Sequence, residues 1–396
     1  MHVTFLVPGN IRHNSGGNVF NARLAEGLRA LGVEVDIVPV DGSWPDASAK
    51  ERRRLGGLLG AWKLGTWKPT AEVPPGTVTL VDGLIACGAP DEIEYAAAAG
   101  QRTWVLLHMP SPSHPDAEKR SLRAAAGVVC TSESAAAHVS DKYGLSGRVV
   151  LPGTNAAPLA AGSEPPHLIA VAALLPNKDQ TLIVAALAQL QDLAWSASLV
   201  GTVDADPAYA ELVRSAIASH GLEGRVQMTG ELVGKSLADT WNRTDLSLLV
   251  SKAESFGLVV TESLAHGIPV IVRQGTGAED ALGMGSSTPH PRVGEESARL
   301  AEAAALPGTA VGLAGPENDQ PDVLAAVIRG WLTDAALRDD WRTAAVAARD
   351  RLPGWDATAL NVLEILAASA SASATAPATA MPAEVPPTAG GTSSAQ

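Results

Sequence analysis

Ser251-Lys-Ala-Glu-Ser-Phe-Gly-Leu-Val-Val-Thr-Glu262 is the stretch that decides how this chain is read. Glu254 and Glu262 are separated by seven residues, with Ser255-Phe256-Gly257 just inside the pair. Upstream, Leu246–Val250 is a short apolar run, which reads as a parallel strand buried on both faces. Leu258–His266 has helical spacing and stops at Gly267, a residue suited to the left-handed position after a helix end. Pro269–Val272 reads as the next strand. The glutamates therefore flank a strand-to-helix turn, one just before the helix and one in its second turn. The N–H groups of Phe256, Gly257 and Leu258 lack helical partners and face the carboxyl end of the sheet, where open α/β folds bind ligands. A helix N-terminus favours phosphate, and ionised carboxylates accept hydrogen bonds from hydroxyls. Phosphate plus polyol describes a nucleotide sugar.

Glu-x7-Glu with an internal Phe-Gly, the preceding strand and the Gly-Ile-Pro-Val exit resembles the signature of retaining glycosyltransferases of the GT-B fold, family 4 (glycosyl transferases group 1). The resemblance implies that Glu254 touches sugar hydroxyls and that Glu262 holds the nucleotide ribose. It also implies that Phe256, Gly257 and Leu258 offer backbone N–H groups to the diphosphate or sugar.

Composition is ordinary for a soluble globular protein. The chain has 396 residues, 46% of them apolar and 18% charged, enough for two domains with separate cores. A net charge of −13 argues against nucleic acid as a partner. Cys87 and Cys130 lie far apart with no zinc spacing, which suits a reducing cytoplasm. No apolar run approaches membrane-spanning length, and Met1–Pro8 reads as a first strand rather than a signal peptide.

The apolar runs alternate with helical patterns. Val3–Val7 is a strand, followed by a helix with Phe20, Leu24, Leu28 and Leu31 on one face and Gly32 at its end. Val33–Val40, Val78–Val81, Trp104–Leu107 and Gly127–Cys130 are further strands. Leu151-Pro-Gly-Thr and Ala160–Pro166 break the pattern as a linker. A second series then begins: strand Leu168–Ala172, helix Asp179–Leu190, strand Ser196–Val200, helix Tyr209–His220 and strand Arg225–Thr229. Helices Asp322–Leu332, Ala335–Asp350 and Asp356–Leu366 close the chain. This predicts two Rossmann-like, doubly wound α/β domains, residues 1–160 and 161–352; the resemblance implies that the first is the acceptor side and the second the nucleotide-sugar side. The resemblance makes 353–368 a helix crossing back to the first domain. Ser286–Gly308 is a weakly patterned insertion. Residues 369–396 are rich in Ala, Ser, Thr, Pro and Gly, which predicts a disordered tail.

Further site residues follow from position and from the resemblance together. Gly16-Gly17 opens the first helix, where glycine permits close backbone approach and leaves N–H groups for phosphate. The family carries such a pair beside the donor diphosphate; the bland alternative is a tight turn. His108 follows a strand end and points into the crevice, where the family has a histidine near the donor hexose; the alternative is a histidine satisfied within its loop. Thr131-Ser132 is read as structural. Lys178 matches the lysine of the family's Arg…Lys-Gly diphosphate pair, but Ala173 stands near the usual arginine and Asp179 replaces the glycine. Losing one cation weakens stabilisation of the leaving group. Thr202–Pro207 is expected to line the nucleotide side of the cleft, and Gly230-Glu231 to lie near the base. Lys50–Lys68 is strongly basic and carries Trp62 and Trp67; it reads as a surface helix and loop in preference to a peripheral membrane contact.

The sequence thus predicts a hexosyltransferase that takes a nucleotide-sugar donor and an unidentified acceptor, with His108, Glu254 and Lys178 catalytic. No metal or cofactor is expected. Two alternatives stay open: an inactive nucleotide-sugar-binding protein, or another GT-B enzyme such as an epimerase or phosphorylase.

Overall fold

The computed structural model describes residues 1–11, 15–62, 77–286, 306–313 and 319–374, with the backbone alone for 369–374. The first half comprises β1 (His2–Pro8), α1 (Gly16–Ala30), β2 (Glu34–Val40), α2 (Ala49–Leu58), β3 (Thr77–Asp82), α3 (Gly83–Cys87), α4 (Pro90–Ala98), β4 (Thr103–Leu107), α5 (Pro115–Ala124), β5 (Gly127–Cys130), α6 (Glu133–Tyr143) and β6 (Gly147–Val149). The second comprises β7 (His167–Val171), α7 (Gln180–Ala188), β8 (Ser196–Val200), α8 (Pro207–Ser219), β9 (Val226–Gly230), α9 (Gly234–Asn242), β10 (Leu246–Leu249), α10 (Leu258–Ala265), β11 (Val270–Arg273), α11 (Gly277–Gly283), β12 (Gly308–Val311), α12 (Gln320–Thr333), α13 (Ala335–Ala348) and α14 (Trp355–Ala374).

The strands form two six-stranded sheets, ordered β2-β1-β3-β4-β5-β6 and β12-β11-β10-β7-β8-β9. Every strand pair in both is parallel. The apolar runs read as strands because helices cover both faces. Along β4, Val105 and Leu107 enter one core while Trp104 and Leu106 enter the core on the other face. In the second sheet Leu246, Leu248 and Ile271 face one layer of helices, and Leu249, Val270 and Val272 face the other. Strand order reverses beside β1 in the first sheet and beside β7 in the second, and such switch points open a crevice at the strands' carboxyl ends.

The last helix returns to the first domain. Ala359, Val362 and Leu366 of α14 share a core with Phe20, Leu24 and Leu28 of α1. The two helices cross at Gly27, where a Cβ would lie 2.6 Å from that of Ala359. Thr154 N–H donates to Pro353 carbonyl at 2.7 Å, and Thr358 Oγ1 donates to Leu151 carbonyl at 2.9 Å, so the two interdomain strands of chain are pinned together.

Several boundaries differ from expectation. Leu31 lies past the end of α1 and is 42% exposed instead of completing its apolar face. α14 continues to Ala374, so 369–374, assigned to the unstructured tail, are helical. Alternating alanines there favour helix over coil. Residues 375–396 lie outside the described residues, as do 287–305 of the insertion. β12, which the sequence reading missed, pairs with β11 immediately after that gap. In the basic stretch, α2 begins with a Ser48–Glu51 capping box, and Trp62 is buried with its indole donating to Arg53 carbonyl. A ring packed in the domain core is not presented to lipid; Trp67 is outside the described residues. No described helix is long and apolar enough to cross a membrane.

Candidate active site

The turn between β10 and α10 is set by Gly257, whose φ of +85° is left-handed. A Cβ there would also meet Leu249 Cδ2 at 3.0 Å and Ala278 Cβ at 3.2 Å, so this position needs glycine. Phe256 anchors the turn by burying its ring with Leu249, Val260 and Leu264. No side chain caps α10, which leaves the first N–H groups of the helix to water or a ligand. Glu254 carbonyl accepts from Gly277 N–H at 2.9 Å, fixing the loop that carries the Glu254 side chain.

A cleft of about 670 Å³ runs between the domains. Gly16, Lys178, Glu254, Gly257, Leu258 and Glu262 line it together. Thr202 and Glu231 line it as well. Gly17, His108 and Phe256 are one layer back. A Cβ on Gly17 would lie 3.3 Å from the His108 ring, so the second glycine lets the histidine pack under the α1 turn. Phe256 serves as a core anchor, and only its backbone is near the turn.

Electrostatics distinguish the two glutamates. Lys178, at the end of a 3-10 turn over Pro176–Lys178, donates Nζ–H to Glu254 Oε1. Both side chains are largely buried, so each offsets the other's charge. Among the described residues, Glu262 has no such ion-pair partner. Burial pushes its carboxyl up to about 7, against the opposing pull of the Arg23 charge on α1.

His108 is held by residues that sequence reasoning missed. Its Nε2 lies 2.8 Å from Asn21 Oδ1 and 3.4 Å from Asp82 Oδ2. Asn21 Nδ2 donates to Asp82 Oδ2 at 2.9 Å, and Leu84 N–H donates to Asp82 Oδ1. Because Asn21 Oδ1 can only accept, His108 donates to it from Nε2. Burial alone would raise the Asp82 carboxyl. The hydrogen bond and charge of His108, with the Asn21 and Leu84 bonds, outweigh it and hold the carboxyl below the usual range. The available signal was an aspartate ending the apolar run of β3. Thr131 Oγ1 donates to His108 carbonyl and Ser132 caps α6, which is the structural role expected of that pair.

The departures near Lys178 have a structural counterpart. Asp179 is the sole non-glycine residue with positive φ among the described residues, at +56°. Its buried carboxylate pairs with Arg273 Nη2 at 2.6 Å, and Lys252 stands 3.9 Å away. Arg273 also donates to the carbonyls of Val250 at 2.8 Å and Leu313 at 3.1 Å. Burial lowers its guanidinium from the usual value, partly countered by Asp179. An arginine ending the apolar run Val270–Val272 was the overlooked sign. Among the described residues, no three His, Cys, Asp or Glu side chains are grouped so as to hold a metal ion.

Two parallel sheets, a cleft at their switch points and a last helix crossing back define the GT-B glycosyltransferase fold. Residues 154–347 match the family described as Glycosyl transferases group 1. It is similar to a D-inositol 3-phosphate glycosyltransferase of Kineococcus radiotolerans, 27% identical over 274 residues. That match covers 63% of this chain and 58% of the relative's length. Similar solved structures include sucrose-phosphate synthase from Thermosynechococcus elongatus, with TM-score 0.68 and 18% identity over 94% of this chain and 100% of that one. HepE of Anabaena, solved in complex with UDP and glucose, has TM-score 0.66 and 16% identity over 93% of this chain and 100% of its own.

Proposed function

We propose that this chain is a metal-independent, retaining glycosyltransferase that moves a hexose from a nucleoside diphosphate sugar to an acceptor hydroxyl. The observation that carries the reading is the convergence of Glu254, Glu262, Lys178, Gly16 and the uncapped start of α10 on one interdomain cleft. In this reading Glu262 accepts from the ribose hydroxyls, and Glu254 and His108 hold the hexose. Lys178 and the α10 N–H groups meet the diphosphate. The bond between the anomeric carbon and the diphosphate oxygen breaks, and its electron pair leaves with the nucleoside diphosphate. The acceptor oxygen forms the new bond and passes its proton to the departing diphosphate oxygen. Charge grows on the departing diphosphate, which is where fixed donors accelerate the reaction most. The Lys178–Glu254 pair then opens as the donor enters, freeing Lys178 for phosphate and Glu254 for sugar hydroxyls.

A second reading is a nucleotide-sugar-binding protein without transfer activity. Ala173 favours it, because this residue lines the cleft where the family resemblance leads one to expect a cation. The test is a panel of UDP-, GDP- and ADP-sugars, beginning with UDP-glucose, scored first by thermal shift and then by donor cleavage with and without EDTA. Transfer activity requires a raised melting temperature and nucleoside diphosphate release in EDTA; a shift without release supports the second reading. The anomeric configuration of a product, read by NMR, tests retention.

A further inference from the structure

Ala173 leaves this cleft short of positive charge, and the shortage can be counted. Among the described residues, Glu231, Glu254 and Glu262 line the cleft, with Lys178, Arg23 and His266 as the basic groups. His266 does not help near neutral pH. Burial lowers its imidazole from the usual value, although Nδ1 lies 2.9 Å from Pro158 carbonyl, and its ring is stacked on Trp241. Lys178 is engaged with Glu254. Arg273 is near Lys178 in the fold but has three acceptors of its own and does not line the cleft. A nucleoside diphosphate brings at least two further negative charges into this setting. Arg23 is the remaining cation.

Its position suits the task. Ser15, Gly16, Val19 and Arg23 recur at helical spacing and all line the cleft, while Phe20, Leu24 and Leu28 on the other side of α1 fill the core. α1 thus presents one complete face to the cleft, with Arg23 about two turns below the Gly16-Gly17 loop. Long side chains on a helix lean back towards its N-terminus, here towards Val19 and Gly16. Arg23 is also near enough to Glu262 for its charge to act on that carboxyl. Its present partner is Glu26, at 2.9 Å, with both side chains well exposed. An exposed pair of this kind is readily exchanged for a phosphate, which a guanidinium grips with two donors.

Resting on the glycosyltransferase reading above, we propose that Arg23 is the second diphosphate cation of this site, supplied across the cleft by the first domain. Because the charge comes from the domain opposite Lys178, the diphosphate itself bridges the two domains.

Affinities of UMP, UDP, GMP, GDP, AMP and ADP are measured by calorimetry on the full chain for wild type, Arg23→Gln, Arg23→Lys and Arg23→Gln/Ala173→Arg. Arg23→Gln is expected to weaken the tightest-binding diphosphate at least tenfold and the monophosphate of the same base by less. Arg23→Lys should keep part of the affinity, and the added Ala173→Arg should recover most of the loss from the opposite wall. Unchanged diphosphate affinity in Arg23→Gln overturns the proposal and leaves the proposed function standing. An equal loss for that monophosphate and the diphosphate also overturns it, since Arg23 then acts on the ribose end through Glu262. If wild type binds none of these ligands, the proposed function and the proposal fall together. Should Arg23→Gln not fold, Arg23→Ala carries the same comparison.

Discussion

Replacing Glu262 by glutamine should make the empty protein more stable and its nucleotide binding worse. Burial raises this carboxyl from 4.5 to about 7. The folded state therefore holds the proton more tightly than the unfolded chain does. Stability from this group is fully present below pH 4.5 and is lost as pH rises through about 7. Each tenfold in proton affinity is worth about 1.4 kcal/mol, so the ionised group costs the fold up to about 3 kcal/mol at pH 8 and about 1 kcal/mol at pH 5. Glu262 keeps part of its surface in the cleft, so these are upper values. Glu262→Gln removes the titration while keeping the shape. Urea unfolding of both proteins should show the variant gaining about 2 kcal/mol on wild type between pH 5 and pH 8. Nucleoside diphosphate affinity should fall by about 1.5–3 kcal/mol, the worth of a hydrogen bond to a charged group. A stability difference that stays flat from pH 5 to pH 8 would refute the reasoning, because Glu262 would then titrate normally in the folded state.

Three other substitutions test the remaining parts of the site. Glu254→Ala should lower turnover by about 10² through loss of hexose positioning. Since it also releases Lys178, the affinity for free nucleoside diphosphate should hold or rise; a fall in that affinity would place Glu254 on the nucleotide instead. Asp82→Asn keeps the volume but removes the charge that orients His108. Turnover should drop on the order of tenfold with donor affinity unchanged, and equal turnover would detach His108 from the chemistry. Asp179→Ala strands the buried Arg273 and should cost about 3–5 kcal/mol in chemical denaturation. Asp179→Ala/Arg273→Met should recover most of that loss, because an apolar replacement of the pair leaves no buried charge unpaired.

The parts of the molecule that could be read from sequence are those whose physics is local. Trp104–Leu107 and Leu246–Val250 announce strands because a parallel sheet covered on both faces needs every residue apolar. Gly257 and the glutamates around it mark a turn whose geometry only a few residue types can adopt. β12, Gly-Thr-Ala-Val, has no such mark and becomes a strand by pairing with β11. The supports of the site were equally hidden, since Asn21 and Asp82 lie 61 positions apart, and Asp179 and Arg273 lie 94 apart. Spacing along the chain carries no information about such pairs.

That last pair changes what the departures from the family pattern mean. Taken one at a time, Ala173 and Asp179 look like two losses at one diphosphate loop. In the folded chain they are different events. Asp179 occupies a left-handed position, which a non-glycine residue adopts at some cost, and its carboxylate ties that loop to β11 through Arg273. The loop bearing Lys178 is thereby braced from beneath by a buried ion pair. Among the described residues, Ala173 has no equivalent repair within the second domain, since Arg273 is consumed by Asp179 and two carbonyls. Among the described residues, compensation for its missing charge comes from the opposite wall, where α1 presents Arg23. A brace under one cation and a second cation across the cleft together make donor affinity depend on the separation of the domains. Arg23 variants should therefore change the salt dependence of diphosphate binding, whereas Asp179 variants should change the stability of the loop.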